Sequence, residues 1–244
     1  KKNKINITHI ISVSNTSGVM FPNLAHFVLS GISKYLKTTP FCIPLSVGCS
    51  GFIDALMLSN TIISKNKKSK ILIVTCDAYS KRISSNDKSI LPVFGDGASA
   101  CIINYDSKGW IIEKEFSENL PFTEEKIICN ESMGYKMIMK GPEVINFAIT
   151  SVLPNILKMI KNEKEIVLYL HQASKIVLDL IEKNVLKINK NVKIPLFYEN
   201  VGNLASTSIP LLISKNLKLF RKSKKILLAG FGVGLTHSYI KFKK

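Results

Sequence analysis

Short apolar runs alternate with segments of helical spacing along all 244 residues, and this alternation restricts the fold more than any other feature. Residues 5–14, 41–47, 71–76, 101–105, 166–170, 194–197, 226–229 and 235–242 have the length and apolar content of strands. Between them, 24–36, the stretch from Phe52, 142–160, 174–186 and the segment around Pro210 read as helices. Asn23 stands where a cap is needed, and Pro142 suits a first helical turn. Strands alternating with helices predict an α/β fold with a mainly parallel sheet covered on both faces. Pro44 weakens the strand at 41–47 because it removes a ladder donor. Residues 77–88 read as polar and irregular, 94–100 as a tight small-residue turn, and 108–140 as a connecting or capping segment.

Reactive side chains collect where the runs end. Cys49 lies in Gly48-Cys49-Ser50-Gly51, between a strand end and a helix start. The positive end of a helix dipole favours thiolate, the nucleophilic form. The same turn also suits a buried structural cysteine. His171 follows the run at 166–170, Asn203 precedes the helix around Pro210, and the loop 230–234 follows the run at 226–229. Sites in open α/β sheets assemble at the carboxyl edge of the strands. Convergence there places a nucleophile beside two donors, and the glycine loop adds a backbone N–H for an oxyanion. Each feature alone has an ordinary structural reading; their joint occurrence is what points to a site.

Composition narrows the classes. A chain that is 46% hydrophobic buries a sizeable core as one or two domains. No uninterrupted apolar run reaches the length of about eighteen residues that marks a membrane span. No charged-then-apolar leader opens the sequence, and the start Lys1-Lys2-Asn3-Lys4, without methionine, reads as a fragment or processed chain. Cysteines 42, 49, 76, 101 and 129 form no C-x-x-C pair, so the expectation is free thiols in a reducing cytoplasm and no metal site. The net charge of +17 is scattered, as at 65–68, 158–164 and 221–225, and reads mainly as solvated loop charge that attracts acidic partners. Nucleic-acid binding lacks basic–aromatic interleaving or any finger spacing.

In order and approximate spacing, Gly48-Cys49-Ser50-Gly51-Phe52, Phe94-Gly95-Asp96-Gly97-Ala98, His171-Gln172-Ala173, Gly202-Asn203 with Ser208-Ile209-Pro210, and Phe231-Gly232-Val233-Gly234 form one set. It resembles the β-ketoacyl-acyl-carrier-protein synthase III family, condensing enzymes of the thiolase superfamily, over about residues 5–242. The Cys-His-Asn set separates this branch from elongating synthases, which use two histidines, and from thiolases, which carry a second active-site cysteine.

The resemblance implies a thiolase-like fold, two pseudo-duplicated βαβ halves in a layered αβαβα arrangement, N-terminally incomplete. Residues 1–106 would form the half with Cys49, 107–140 a connection, and 141–244 the half with His171 and Asn203. It implies that Cys49 takes an acyl group from acyl-CoA and that malonyl-acyl carrier protein supplies the second substrate, with no permanently bound cofactor. His171 and Asn203 would donate to the malonyl thioester oxygen, and the backbone N–H groups of Cys49 and Val233 would hold the oxyanion.

It further implies that Phe21 reaches a partner's acyl pocket in a homodimer, that Phe94 lines the pocket, and that Lys88 replaces an arginine near the CoA entrance. Gly141 and Ser174 would bind substrate, Gly141 beside Pro142 near the pantetheine, and Ser174 and Pro142 each stand where an asparagine is usual. Carrier protein would dock on a basic surface that keeps Lys183 but has Asn146 where a lysine is common. The setting implied is cytoplasmic fatty-acid or specialised lipid synthesis. A non-condensing acyltransferase and an inactive partner subunit use the same fold.

Overall fold

The computed structural model describes residues 4–244, so the start at 1–3 lies outside the described residues. In chain order, β1 (His9–Val13), α1 (Leu24–Ile32), β2 (Phe41–Leu45), α2 (Gly51–Lys65), β3 (Lys70–Ala78) and β4 (Asp96–Asn104) form the first half. β5 (Ile111–Asn119) and a small hairpin, β6 (Ile127–Cys129) with β7 (Met137–Met139), come next. A long helix follows as α3 (Gly141–Phe147), a π turn (Ala148–Val152) and α4 (Leu153–Ile160). The second half continues with β8 (Ile166–Leu170), α5 (Lys175–Ile188), β9 (Val192–Lys193), α6 (Tyr198–Val201), α7 (Ser208–Lys215), α8 (Leu217–Lys222), β10 (Lys225–Gly232) and β11 (Thr236–Lys243). Asn23 caps α1, its Oδ1 accepting from the Ala25 N–H at 3.0 Å.

Two sheets result. The first has the order β2-β1-β3-β4, with β4 antiparallel to β3 and the others parallel. The second has the order β5-β11-β10-β8-β9, in which β10, β8 and β9 are parallel and β11 and β5 antiparallel. The path β1-α1-β2-α2-β3-β4 is matched by β8-α5-β9-α7-β10-β11 with the same neighbours, so the halves repeat and β5 is an addition at one edge.

Alternating side chains then sort into layers. Ile11 and Val13 of β1, Ile71 and Ile73 of β3, Val167 and Tyr169 of β8, and Ile226 and Leu228 of β10 meet in a central core with Phe52 and Ile53 of α2 and Ile209 and Leu212 of α7. The opposite face of β8 and β10, through Leu168, Leu170, Leu227 and Ala229, packs on α4 and α5. Ile10 and Leu72 pack with Ala25 and Val28 of α1 on the far side of the first sheet. The layering is helix, sheet, helix, sheet, helix, the thiolase-like architecture. Full burial of each such branched side chain contributes about 1.5–3 kcal/mol, so these interlayer faces hold the halves together.

Several sequence readings change. The strand at 41–47 lies at a sheet edge: β2 ends the first sheet with Phe41 68% exposed, which is how it accommodates Pro44. The small residues at 96–100 are strand rather than turn, and a Cβ on Gly97 would lie 3.1 Å from Leu204 Cδ1. Within 107–140, β5 is a full strand paired to β11, so that stretch is not all connection. Strand pairing at 194–197 is absent because Pro195 lacks a donor, and it stops at Lys193 instead. The run at 226–229 continues as strand through Gly232. By length and composition the helix 141–160 would cross a membrane, yet Phe147, Val152, Ile156 and Ile160 pack into the outer core.

Candidate active site

β2 delivers the chain to a 3-10 turn, Gly48–Ser50, from which α2 departs. Gly48 has φ +64°, a left-handed conformation that a side chain would strain, and a Cβ there would also lie 2.9 Å from Val233 Cβ. The turn is pressed onto β10. A Cβ on Gly232 would come within 2.8 Å of both Cβ and Sγ of Cys49, so only glycine leaves the sulfur its place. Backbone N–H groups of Val233 and of Cys49 itself point to that sulfur.

The thiol differs from its sequence reading. Burial, reinforced by the carboxylate of Asp77, pushes Cys49 up to about 12, and the two N–H groups only partly offset this. The resting group is therefore a thiol, not a dipole-stabilised thiolate.

His171 stands at the carboxyl end of β8, its N–H donating to the Ala229 carbonyl at 2.8 Å. The ring meets Phe231 edge to face at 5.4 Å, and burial pushes its pKa down to about 3, so the imidazole is neutral with one N–H to donate. Its Nδ1 is buried without a hydrogen-bond partner among the described residues. Gln172 fixes the following turn, donating to the Leu170 carbonyl at 2.8 Å and accepting from the Phe197 N–H at 2.9 Å. Ser174 caps α5, its Oγ accepting from the Val177 N–H at 3.4 Å.

Asn203 follows Gly202, whose φ is +70°, and its backbone bridges to Phe94: its N–H donates to Val93 and its carbonyl accepts from Gly95. The side-chain amide donates to the Ala173 carbonyl at 3.1 Å and accepts from the Ala205 N–H at 2.8 Å. An amide carries two N–H donors, so one remains for a substrate oxygen.

Cys49, His171, Asn203 and Val233 line one cavity of about 180 Å³, and Phe94, Gly141 and Ser174 complete its predicted walls. Phe21 and Lys88 are not in it: Phe21 is 81% exposed, and Lys88 is an exposed neighbour of the lining residue Ser89. Sequence reasoning missed three contributors. Tyr79 stacks on Phe94 at 4.9 Å, Met137 closes the apolar wall, and Asp77 sits behind Cys49. Asp77 lies at the end of β3, Tyr79 in the irregular turn after it and Met137 in a three-residue strand, so the only signal was an acidic residue ending an apolar strand. Among the described residues no cluster has metal-ligand composition.

This duplicated architecture is that of the thiolase-type condensing enzymes. The crystal structure of 3-oxoacyl-(acyl-carrier-protein) synthase III from Thermus thermophilus superposes with a TM-score of 0.84 at 24% identity, over 98% of this chain and 77% of the other. The priming β-ketosynthase of the R1128 polyketide pathway gives 0.85 at 19% identity, over 97% and 75%. Two profiles match by sequence: 3-oxoacyl-[acyl-carrier-protein] synthase III over residues 44–119 and its C-terminal domain over 160–243. β-Ketoacyl-[acyl-carrier-protein] synthase III of Streptococcus agalactiae is 30% identical, covering 94% of this chain and 75% of the relative, and that of Enterococcus faecalis is 27% identical over the same shares. The chain belongs to the 3-oxoacyl-[acyl-carrier-protein] synthase III family.

Proposed function

We propose that this protein carries out decarboxylative Claisen condensation of an acyl group with malonyl-acyl carrier protein, with Cys49 as the acyl carrier. One observation carries the reading: the Cys49 sulfur faces two backbone N–H groups inside a cavity shared with His171 and Asn203. In the first step Sγ attacks the carbonyl of an acyl-CoA, and the CoA sulfur leaves with the thiol proton. Negative charge on the carbonyl oxygen falls to the N–H groups of Cys49 and Val233, and losing one such donor typically costs about 2.7–4 kcal/mol.

The malonyl thioester then loses carbon dioxide, leaving an enolate. Neutral His171 and the uncommitted N–H of Asn203 suit that oxygen because both donate without carrying charge. The enolate carbon attacks the acyl carbonyl, forming the carbon–carbon bond and expelling Cys49 as thiolate, which takes a proton from water to restore the thiol. The exposed Phe21, on a loop ahead of α1, supports a homodimer in which it enters the partner's pocket. The carrier protein, being acidic, suits the basic surface, and the setting is cytoplasmic.

The test is intact-protein mass after incubation with a panel of acyl-CoAs, peptide mapping of the adduct, and release of labelled carbon dioxide from malonyl-acyl carrier protein. An acyl adduct on Cys49 together with carbon dioxide release is the expected result. Adducts without decarboxylation by any malonyl donor favour a non-condensing acyltransferase.

A further inference from the structure

β3 and β10 are equivalent strands of the two halves, and the end of β10 supplies Gly232 and Val233 to the site. The end of β3 supplies Asp77, 1% exposed and given no part in the reading above. Its Oδ1 accepts from the Asn15 N–H at 2.9 Å, Thr16 Oγ1 at 3.1 Å and, at 3.5 Å, Ser14 Oγ. Its Oδ2 accepts from Ser206 Oγ at 2.8 Å. Burial raises the pKa of Asp77, and the four partners, all donors, favour the ionised carboxylate against it.

Ser206 lies three residues after Asn203 in a 3-10 turn, Ala205–Thr207. That turn opens at Ala205 with φ +46°, a left-handed conformation that strains a residue with a Cβ. The Ala205 N–H is the group that holds Asn203 Oδ1. Thr207 Oγ1 also bonds Thr75 Oγ1 at 2.7 Å, so β3 grips the strained turn at two points.

We propose that Asp77 is a positioning residue of the condensing reaction: through Ser206 it holds the turn that aims Asn203. The inference rests on the condensation reading of the same site. The other titratable groups facing Cys49 are Tyr79, whose phenol burial holds well above its ordinary range, and neutral His171. Those facing Asp77 are Cys49, Cys76 and Tyr79, with Asp96 acting in turn on Cys76. Removal of the Asp77 charge therefore makes Cys49 easier to ionise.

The test compares Asp77→Asn, Ser206→Ala and Ser206→Thr in the full chain. Iodoacetamide alkylates the thiolate, forming an S–C bond with loss of iodide, and peptide mapping follows Cys49. In Asp77→Asn, carbon dioxide release slows relative to Cys49 acylation, and loss of the negative charge raises the alkylation rate over about pH 7–9. Ser206→Ala leaves that rate unchanged but slows carbon dioxide release relative to Cys49 acylation, by up to about a hundredfold for a donor displaced by an ångström. Ser206→Thr, which keeps the hydroxyl, restores it.

Equal loss of both half-reactions in folded Asp77→Asn or in Ser206→Ala overturns the proposal. If Asp77→Asn does not fold, the Ser206 pair decides. A wild type that releases no carbon dioxide overturns the functional reading, while the alkylation arm, which needs no thioester, still decides the role of the charge.

Discussion

Replacing Gly232 by alanine tests how closely the two halves are fitted at the nucleophile. The new methyl lies 2.8 Å from Cβ and Sγ of Cys49. Carbon and sulfur need about 3.5 Å or more, so the groups must part by about 0.7 Å. β10 has little freedom to move, being paired to β8 on one side and β11 on the other. The displacement falls instead on the Cys49 turn and carries the sulfur away from the Val233 N–H. Overpacking of this size costs about 1–3 kcal/mol of stability, and loss of one oxyanion donor about 10²–10³ in rate.

Gly232→Ala should therefore acylate Cys49 roughly 10²-fold more slowly than wild type, measured by quenched time courses of intact mass with a short acyl-CoA. Gly230→Ala is the comparison, because its Cβ would press Ser50 Cα and Ile53 Cδ1 at 3.1 Å and the Cys49 carbonyl oxygen at 3.3 Å, but not the sulfur. It should lose stability with the smaller effect on rate. Acylation by Gly232→Ala within about threefold of wild type would refute the placement of the oxyanion donors.

Cys49 should be the only acylated cysteine, and peptide mapping that finds the acyl group on Cys42, Cys76, Cys101 or Cys129 defeats its assignment. Asn203→Ala should leave acylation nearly intact while slowing carbon dioxide release by roughly 10²-fold, both read on the same preparation. His171 has a folded pKa of about 3 against an ordinary 6.5, so its contribution to stability is present above pH 6.5 and is lost as pH falls towards 3. Denaturant titrations should show a slope approaching about 1.4 kcal/mol per pH unit in that window, and His171→Gln should flatten it. Ser174→Ala removes the cap of α5 and should cost about 0.5–2 kcal/mol in thermal or denaturant unfolding.

The strands covered on both faces could be read directly from the chain. β8 and β10 are continuous apolar runs because one face meets the central core and the other α4 and α5. β5 was missed because Ile111–Asn119 carries three glutamates and a lysine, as a half-solvated edge strand permits. The placement of Cys49, His171 and Asn203 was legible because each follows a strand or precedes a helix, where local patterning is strong. Asp77 was not, since its partner Ser206 is 129 residues away and no local pattern records that pairing. The state of the thiol was misread for a related reason: the dipole is a local feature, whereas the burial and the facing carboxylate arise only from folding.

The π turn at Ala148–Val152 has a consequence for which insertions and deletions this chain tolerates. One surplus residue in a helix rotates everything beyond it by about 100°. Here that rotation lets Val144 and Ile145 line the cavity while Ile156, Met159 and Ile160 stay in the outer core. Deleting a single residue from 148–152 would restore an even helix with the core contacts of α4 intact and swing the cavity wall away from Cys49. Such a deletion would leave a folded protein with a reshaped substrate site, whereas an exposed loop such as 106–109 would absorb the same loss without effect on the cavity.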